Sequence, residues 1–176
     1  MRLELVDQRL HCEPLPLDEV RLAALAEPLG RADWALNLVL VEDQMMADLN
    51  ARWYGGQGVT DVLSFTYLEH EGPGPPRLSG GEGRAARDLW VAAGDGESVV
   101  TAGEVILAPA FVADRCRKEG WDLPTEWGML LVHGGLHVLG WLHDTTVARC
   151  AMQAQEAELL DRQGFSHPLL KTGLEN

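Results

Sequence analysis

Apolar residues recur along this chain with more than one period, and the changes of period mark its elements. Leu3-Glu-Leu-Val6 alternates and reads as a short first strand. From Leu17 to Leu29, Val20, Leu22, Ala23, Leu25 and Ala26 fall at helical spacing, Asp18 and Glu19 suit the positive start, and Pro28 and Gly30 close the run. Trp34–Glu42 is a branched, nearly unbroken apolar stretch, expected as a central strand. Asp43 can cap a following helix on which Met46, Leu49 and Trp53 share a face. A glycine-rich turn and an alternating strand then run to Phe65. Order returns at Gly103–Ala108, a buried strand, and Pro109 suits the first turn of a helix over about 110–118 that ends at Gly120. Leu123-Pro-Thr-Glu126 opens a strongly apolar helix carrying Met129, Leu130, Leu131, Val132, Leu136, Val138 and Leu139. Asp144 or Thr145 can cap a last helix reaching about Arg162, with Val147, Cys150, Ala151 and Ala154 expected to face inward and Gly164 ending it.

Strands that alternate with helices favour an α/β layer, here a small mixed four-stranded sheet flanked by about five helices. At 176 residues the chain suits one domain, 1–176. Between residues 68 and 102 the pattern dissolves into EGPGPP, SGGEG and GDGE, the composition of a solvated insertion. Arg84, Arg87 and Trp90 inside it offer an added RNA or ribosome contact, though a plain surface excursion is favoured, and a short hairpin around Leu89–Val100 is conceivable. Residues 171–176 should fray.

An apolar content of 46% with 23% charged residues is ordinary for a globular protein. No apolar run approaches the roughly 18 residues that span a bilayer, and the charged N-terminus does not resemble a signal peptide, so a cytoplasmic protein without a membrane partner is expected. Cys12, Cys116 and Cys150 form no C-x-x-C pair and read as free thiols. A net charge of −13 opposes casual binding to phosphate backbones, DNA included. It leaves open a local positive cleft, because a bound divalent ion is itself the strongest charge in such a site.

The chemistry concentrates in His133-Gly-Gly-Leu-His137-Val-Leu-Gly140-Trp-Leu-His143-Asp144, which holds three of the six histidines. Residues four apart share a helix face, so His133 and His137 can grip one ion. His143 lies six further on, about 120° away on an unbroken helix, and can join them only if the chain turns first. Gly140 is where it can, since glycine tolerates the left-handed conformation that ends helices. Three imidazoles suit zinc, with nickel also acceptable, and leave a fourth position open for water, the count of a catalytic site. A lone histidine on an apolar helix is usually a hydrogen-bonded core residue, and that reading is kept for His11, His70 and His167. The spacing is also that of the metzincin proteases, H-E-x-x-H-x-x-G-x-x-H, but Gly134 stands where those enzymes carry their basic glutamate, which argues against peptide hydrolysis.

HGGLHVLGWLH resembles the H-G-x-L-H-L-x-G-Y-D-H signature of the YbeY proteins, with Trp141 and Leu142 as departures. Thr60-Asp-Val-Leu-Ser-Phe65 matches a second block of that family, and Gly103–Ala108 resembles its G-D-I-x-I strand. Met152 and Glu156 sit where the family has a similar methionine and glutamate. The resemblance implies a sheet flanked by helices, distantly zincin-like. It further implies a zinc-dependent, single-strand-specific endoribonuclease acting in 16S rRNA 3′-end maturation and ribosome quality control, with the small ribosomal subunit and ribosome-associated proteins as partners. It places Arg52, Asp61 and Ser64 along a substrate groove. The family arginine thought to meet RNA phosphate falls at Tyr54 here, which puts one contact in doubt, and Arg52 is a candidate replacement. Asp144 and Glu156 are weak candidates for general base, each readily a helix cap or a carboxylate orienting a histidine. Two rivals remain: a zincin-like peptidase with a distant base, and a non-catalytic ribosome-assembly factor with a structural zinc.

Overall fold

The computed structural model describes residues 1–10, 13–68 and 99–168. Strand β1 (Arg2–Asp7) leads through α1 (Glu19–Ala26) and a 3-10 turn (Glu27–Leu29) to β2 (Trp34–Leu40). Next come α2 (Asp43–Tyr54), β3 (Val62–Thr66), β4 (Val100–Leu107), α3 (Pro109–Glu119), α4 (Leu123–Val138) and α5 (Thr146–Asp161). The sheet order is β1-β2-β4-β3, with β1, β2 and β4 parallel and β3 antiparallel to β4. This is the expected mixed α/β layer.

The near-unbroken apolar run of β2 follows from burial on both faces. Leu36, Leu38 and Leu40 join Val105 and Leu107 in a core shared with α1, α4 and α5. Val39 and Val41 join Ile106, Leu63 and Phe65 in a second core under Met46, Leu49 and Trp53 of α2. Helix α4 lies against the sheet along a glycine-bearing face. A Cβ on Gly134 would stand 2.8 Å from Val105 Cγ1 and 2.9 Å from Ser64 Oγ, and one on Gly135 would stand 2.6 Å from Leu29 Cδ1.

Several boundaries differ from expectation. The Gly103–Ala108 strand begins three residues earlier, at Val100. Val100 and Thr101 pair with Trp34 and Ala35 before a register shift between Ala35 and Leu36, and that irregularity breaks the alternation a reader would follow. Helix α2 is capped at Glu42, so Asp43 is its first helical residue. Val20 is exposed, whereas Leu22, Leu25 and Ala26 carry the buried stripe of α1. The inward face of α5 differs from the expected one: Val147, Cys150, Ala151 and Ala154 are exposed, and Met152, Glu156, Leu159 and Leu160 are buried. Small apolar residues gain little from burial, so the larger side chains and the ion-paired Glu156 set the face instead. Of the two candidate caps, Thr145 is the one used; its hydroxyl accepts from Ala148 N. Arg84, Arg87, Trp90, most of the conceivable hairpin, His11, His70, Cys12 and the 171–176 tail lie outside the described residues.

Candidate metal centre

Asp122 caps α4, accepting from Thr125 N, and Pro124 occupies its first turn, so the helix starts where the chain has no amide hydrogen to leave unpaired. It ends at Val138 because Gly140 takes φ 86°. Gly140 N donates to His137 O at 2.9 Å and Trp141 N to Leu136 O at 3.0 Å, which folds the chain back over the helix end. That reversal brings His143 to the pair on the helix. The ligating atoms of His133, His137 and His143 all lie within 4.8 Å of one another. Ring centroids are 4.6 Å apart for His133 and His137, 4.9 Å for His137 and His143, and 5.6 Å for His133 and His143. The two helical histidines are half-buried and His143 is exposed, so the cluster opens to solvent on one side. Among the described residues no cysteine, carboxylate or fourth histidine joins the cluster.

The orientation of the rings is set from behind. His133 Nδ1 lies 2.7 Å from Glu156 Oε1, and His137 Nδ1 lies 2.8 Å from the Trp141 carbonyl oxygen. A carboxylate and a carbonyl only accept, so both Nδ1 atoms donate, and in the neutral rings that bind a metal both Nε2 atoms carry lone pairs. Those two Nε2 atoms face each other at 3.2 Å. Two lone pairs at that distance repel unless an electrophile lies between them. Nitrogens about 2.0–2.1 Å from a tetrahedral zinc stand roughly 3.3 Å apart, so the donor set fits such an ion. Burial above all, and then the neighbouring His133 ring, push the His137 pKa down to about 4, against the pull of the Trp141 carbonyl. The ring is therefore neutral at physiological pH, the form a metal takes.

Glu156 is 2% exposed and is occupied by His133. It holds a ring in place from the side away from the cluster. Asp144 is exposed and, among the described residues, makes no hydrogen bond or ion pair. The position of the metzincin glutamate is closed sterically, since any side chain on Gly134 would run into Ser64 and Val105.

Asp61 is taken up in a brace. Its carboxylate accepts from Val62 N at 2.9 Å and from the Thr60 hydroxyl at 3.1 Å, and pairs with Arg115. Arg115 also pairs with Glu126 on α4, and Glu126 in turn meets His167 at 2.5 Å. His167 thus has the hydrogen-bonded core role expected of a lone histidine. Ser64 directs its hydroxyl at Gly134, beside the histidines. Arg52 is exposed, its guanidinium 5.1 Å from the Trp53 ring centroid. Two contributors escaped sequence reading, the Trp141 carbonyl and Arg115. A backbone acceptor leaves no mark in a sequence, and Arg115 reads as one of several basic residues near a helix end, with Arg117 and Lys118 beside it.

Comparison with known proteins accords with this geometry. Residues 18–164 match the family described as Endoribonuclease YbeY. A relative of that name from an Anaeromyxobacter species is 31% identical over 153 residues, covering 87% of this chain and 67% of the relative. One from Saccharopolyspora erythraea is 35% identical over 127 residues, covering 72% and 56%. Another, from Rhodococcus opacus, is 36% identical over 126 residues, covering 72% and 61%. The chain thus spans 56% to 67% of the lengths of these relatives. With the family profile covering most of its length and the histidine cluster in place, the chain belongs to the Endoribonuclease YbeY family.

Proposed function

We propose that this protein is a zinc-dependent endoribonuclease that cuts single-stranded RNA, acting in the cytoplasm on the 3′ end of 16S rRNA in association with the small ribosomal subunit. One observation carries the reading: in a chain of this family, two imidazoles fixed by Glu156 and the Trp141 carbonyl converge with a third on a single point open to solvent. His133, His137 and His143 would hold the ion, which when bound supplies Lewis acidity at a phosphoryl oxygen. The chain's own residues do the rest. Glu156 keeps the His133 ring from rotating. Gly140 sets the turn that delivers His143. Gly134 leaves the Ser64 hydroxyl facing the helix beside the histidines, a neutral group suited to a nearby phosphate oxygen.

Peptide hydrolysis has less support, because the position of the metzincin base holds no side chain and has no room for one. The decisive experiment is metal analysis of the purified protein beside cleavage of a single-stranded RNA, for wild type and His137→Ala. The expected result is about one zinc per wild-type chain, with zinc and cleavage lost together in the variant. Undiminished cleavage by the metal-free protein would overturn the proposal.

A further inference from the structure

The flank of α4 that carries the histidines can be located from its glycines. Gly134 lies over Ser64 and Val105, and Gly135 over Leu29 and Leu36. At about 100° per residue, His133 and His137 leave the helix on the flank opposite Gly135, which is the side of β3. Strand β3 ends the sheet order, so its outer edge has no partner strand among the described residues. In its register with β4, Asp61 and Tyr67 bond across to Ala108 and Ala102. The alternation of an antiparallel ladder therefore turns the carbonyls of Val62, Ser64 and Thr66 outward, along the histidine flank.

One of those carbonyls has a partner. Tyr54, the last residue of α2, donates its hydroxyl to Ser64 O at 2.7 Å. Its ring meets Phe65 edge-on, with centroids 5.9 Å apart and planes at 61°. The residue is nevertheless 52% exposed. A ring tethered at its hydroxyl and packed on one neighbour gives up little freedom when something stacks on its open side. The chain as a whole carries −13, and the nearest cation of α2, Arg52, lies over Trp53. Among the described residues of α2 and β3 no other cation offers phosphate neutralisation at this edge, whereas stacking on an aromatic face needs no charge.

We propose that Tyr54 is a substrate-binding residue that stacks an unpaired nucleobase of single-stranded RNA beside the three histidines, an inference that rests on the endoribonuclease reading above. The test is steady-state cleavage of a labelled single-stranded oligoribonucleotide by zinc-loaded protein, together with a series in which one nucleotide at a time is made abasic. For wild type, one abasic position should raise KM by roughly 5- to 150-fold. Tyr54→Leu should raise KM on the intact oligonucleotide by a similar factor with kcat little changed, and should erase the penalty at that position. Tyr54→Phe keeps the ring and should keep the penalty, with a smaller rise in KM from loss of the Ser64 tether. Melting curves for both variants separate these effects from misfolding. If Tyr54→Leu retains the wild-type KM, or retains the abasic penalty, the stacking proposal is overturned while the nuclease reading stands. If wild-type protein cleaves no RNA at all, both fall.

Discussion

Glu156 and Glu104 are both buried carboxylates, and their partners give them opposite meanings. Glu156 answers a histidine, so its removal frees the His133 ring. Glu156→Ala should weaken zinc binding about 10- to 100-fold while far-UV circular dichroism stays unchanged; competition with a chromogenic chelator reads the loss. Among the described residues, Glu104, 1% exposed on β4, has Asn37 at 3.5 Å and the Tyr67 hydroxyl beside it. Desolvation raises its pKa above the ordinary carboxyl value, which those two groups only partly offset. A raised carboxyl pKa means that the folded state holds its proton more tightly than the unfolded state. The resulting penalty is absent below the ordinary carboxyl pKa and complete above the raised one. Glu104→Gln should therefore stabilise the protein by about 1 kcal/mol at pH 7.5. The gain should shrink as pH falls through the raised pKa towards the ordinary carboxyl range. Urea midpoints at several pH values test this, and a gain that grows on acidification would refute the sign.

At the scale of elements, the contact between α4 and the sheet governs where the histidines stand. Gly134→Ala places a methyl group against Val105 and Ser64, and overpacking of this kind should destabilise by about 1–3 kcal/mol, measured by thermal melting. Gly134→Glu, which restores the metzincin pattern, should unfold the protein rather than create a peptidase. The course of α4 was legible beforehand because its apolar run, its Leu123-Pro-Thr-Glu126 opening and its Gly140 stop all agree. The histidine cluster was legible for the same reason, since spacing plus one turn residue determines it. What stayed hidden were features with no periodic signature. The inward face of α5 depends on which of several weakly apolar faces finds a partner, and Glu156 prevails there by meeting His133. The start of β4 is blurred by a bulge, and Tyr54 by its place at a helix end, where an exposed aromatic carries no pattern.

Across the whole molecule, one ionic chain ties distant segments together. Asp61 before β3, Arg115 on α3, Glu126 on α4 and His167 near the C-terminal end of the described residues are linked in series. Glu126→Ala would leave Arg115 and His167 without that shared carboxylate in a buried site. A loss of about 1–3 kcal/mol is expected, more than for the exposed Arg162–Glu158 pair, with denaturant titration as the measure. Net charge acts at this scale too. A net charge of −13 should give a shallow salt dependence of RNA binding. The slope of log affinity against log salt should be about −1.4 to −2.1, corresponding to about two or three phosphates at −0.7 each for single strands. A slope of −5 would require a basic track elsewhere on the chain.

The backward turn at Gly140 also has a kinetic consequence. Two of the three imidazoles belong to a long, buried helix, whereas the third, exposed, follows a half-buried turn held to that helix by two amide–carbonyl contacts, the His137 bond to the Trp141 carbonyl, and the packing of Leu139 and Trp141. Dechelation should therefore start with His143, through fraying of a single turn and without global unfolding. The off-rate of the ion should accordingly follow deuterium uptake at residues 139–144, leaving the amides of the sheet protected throughout.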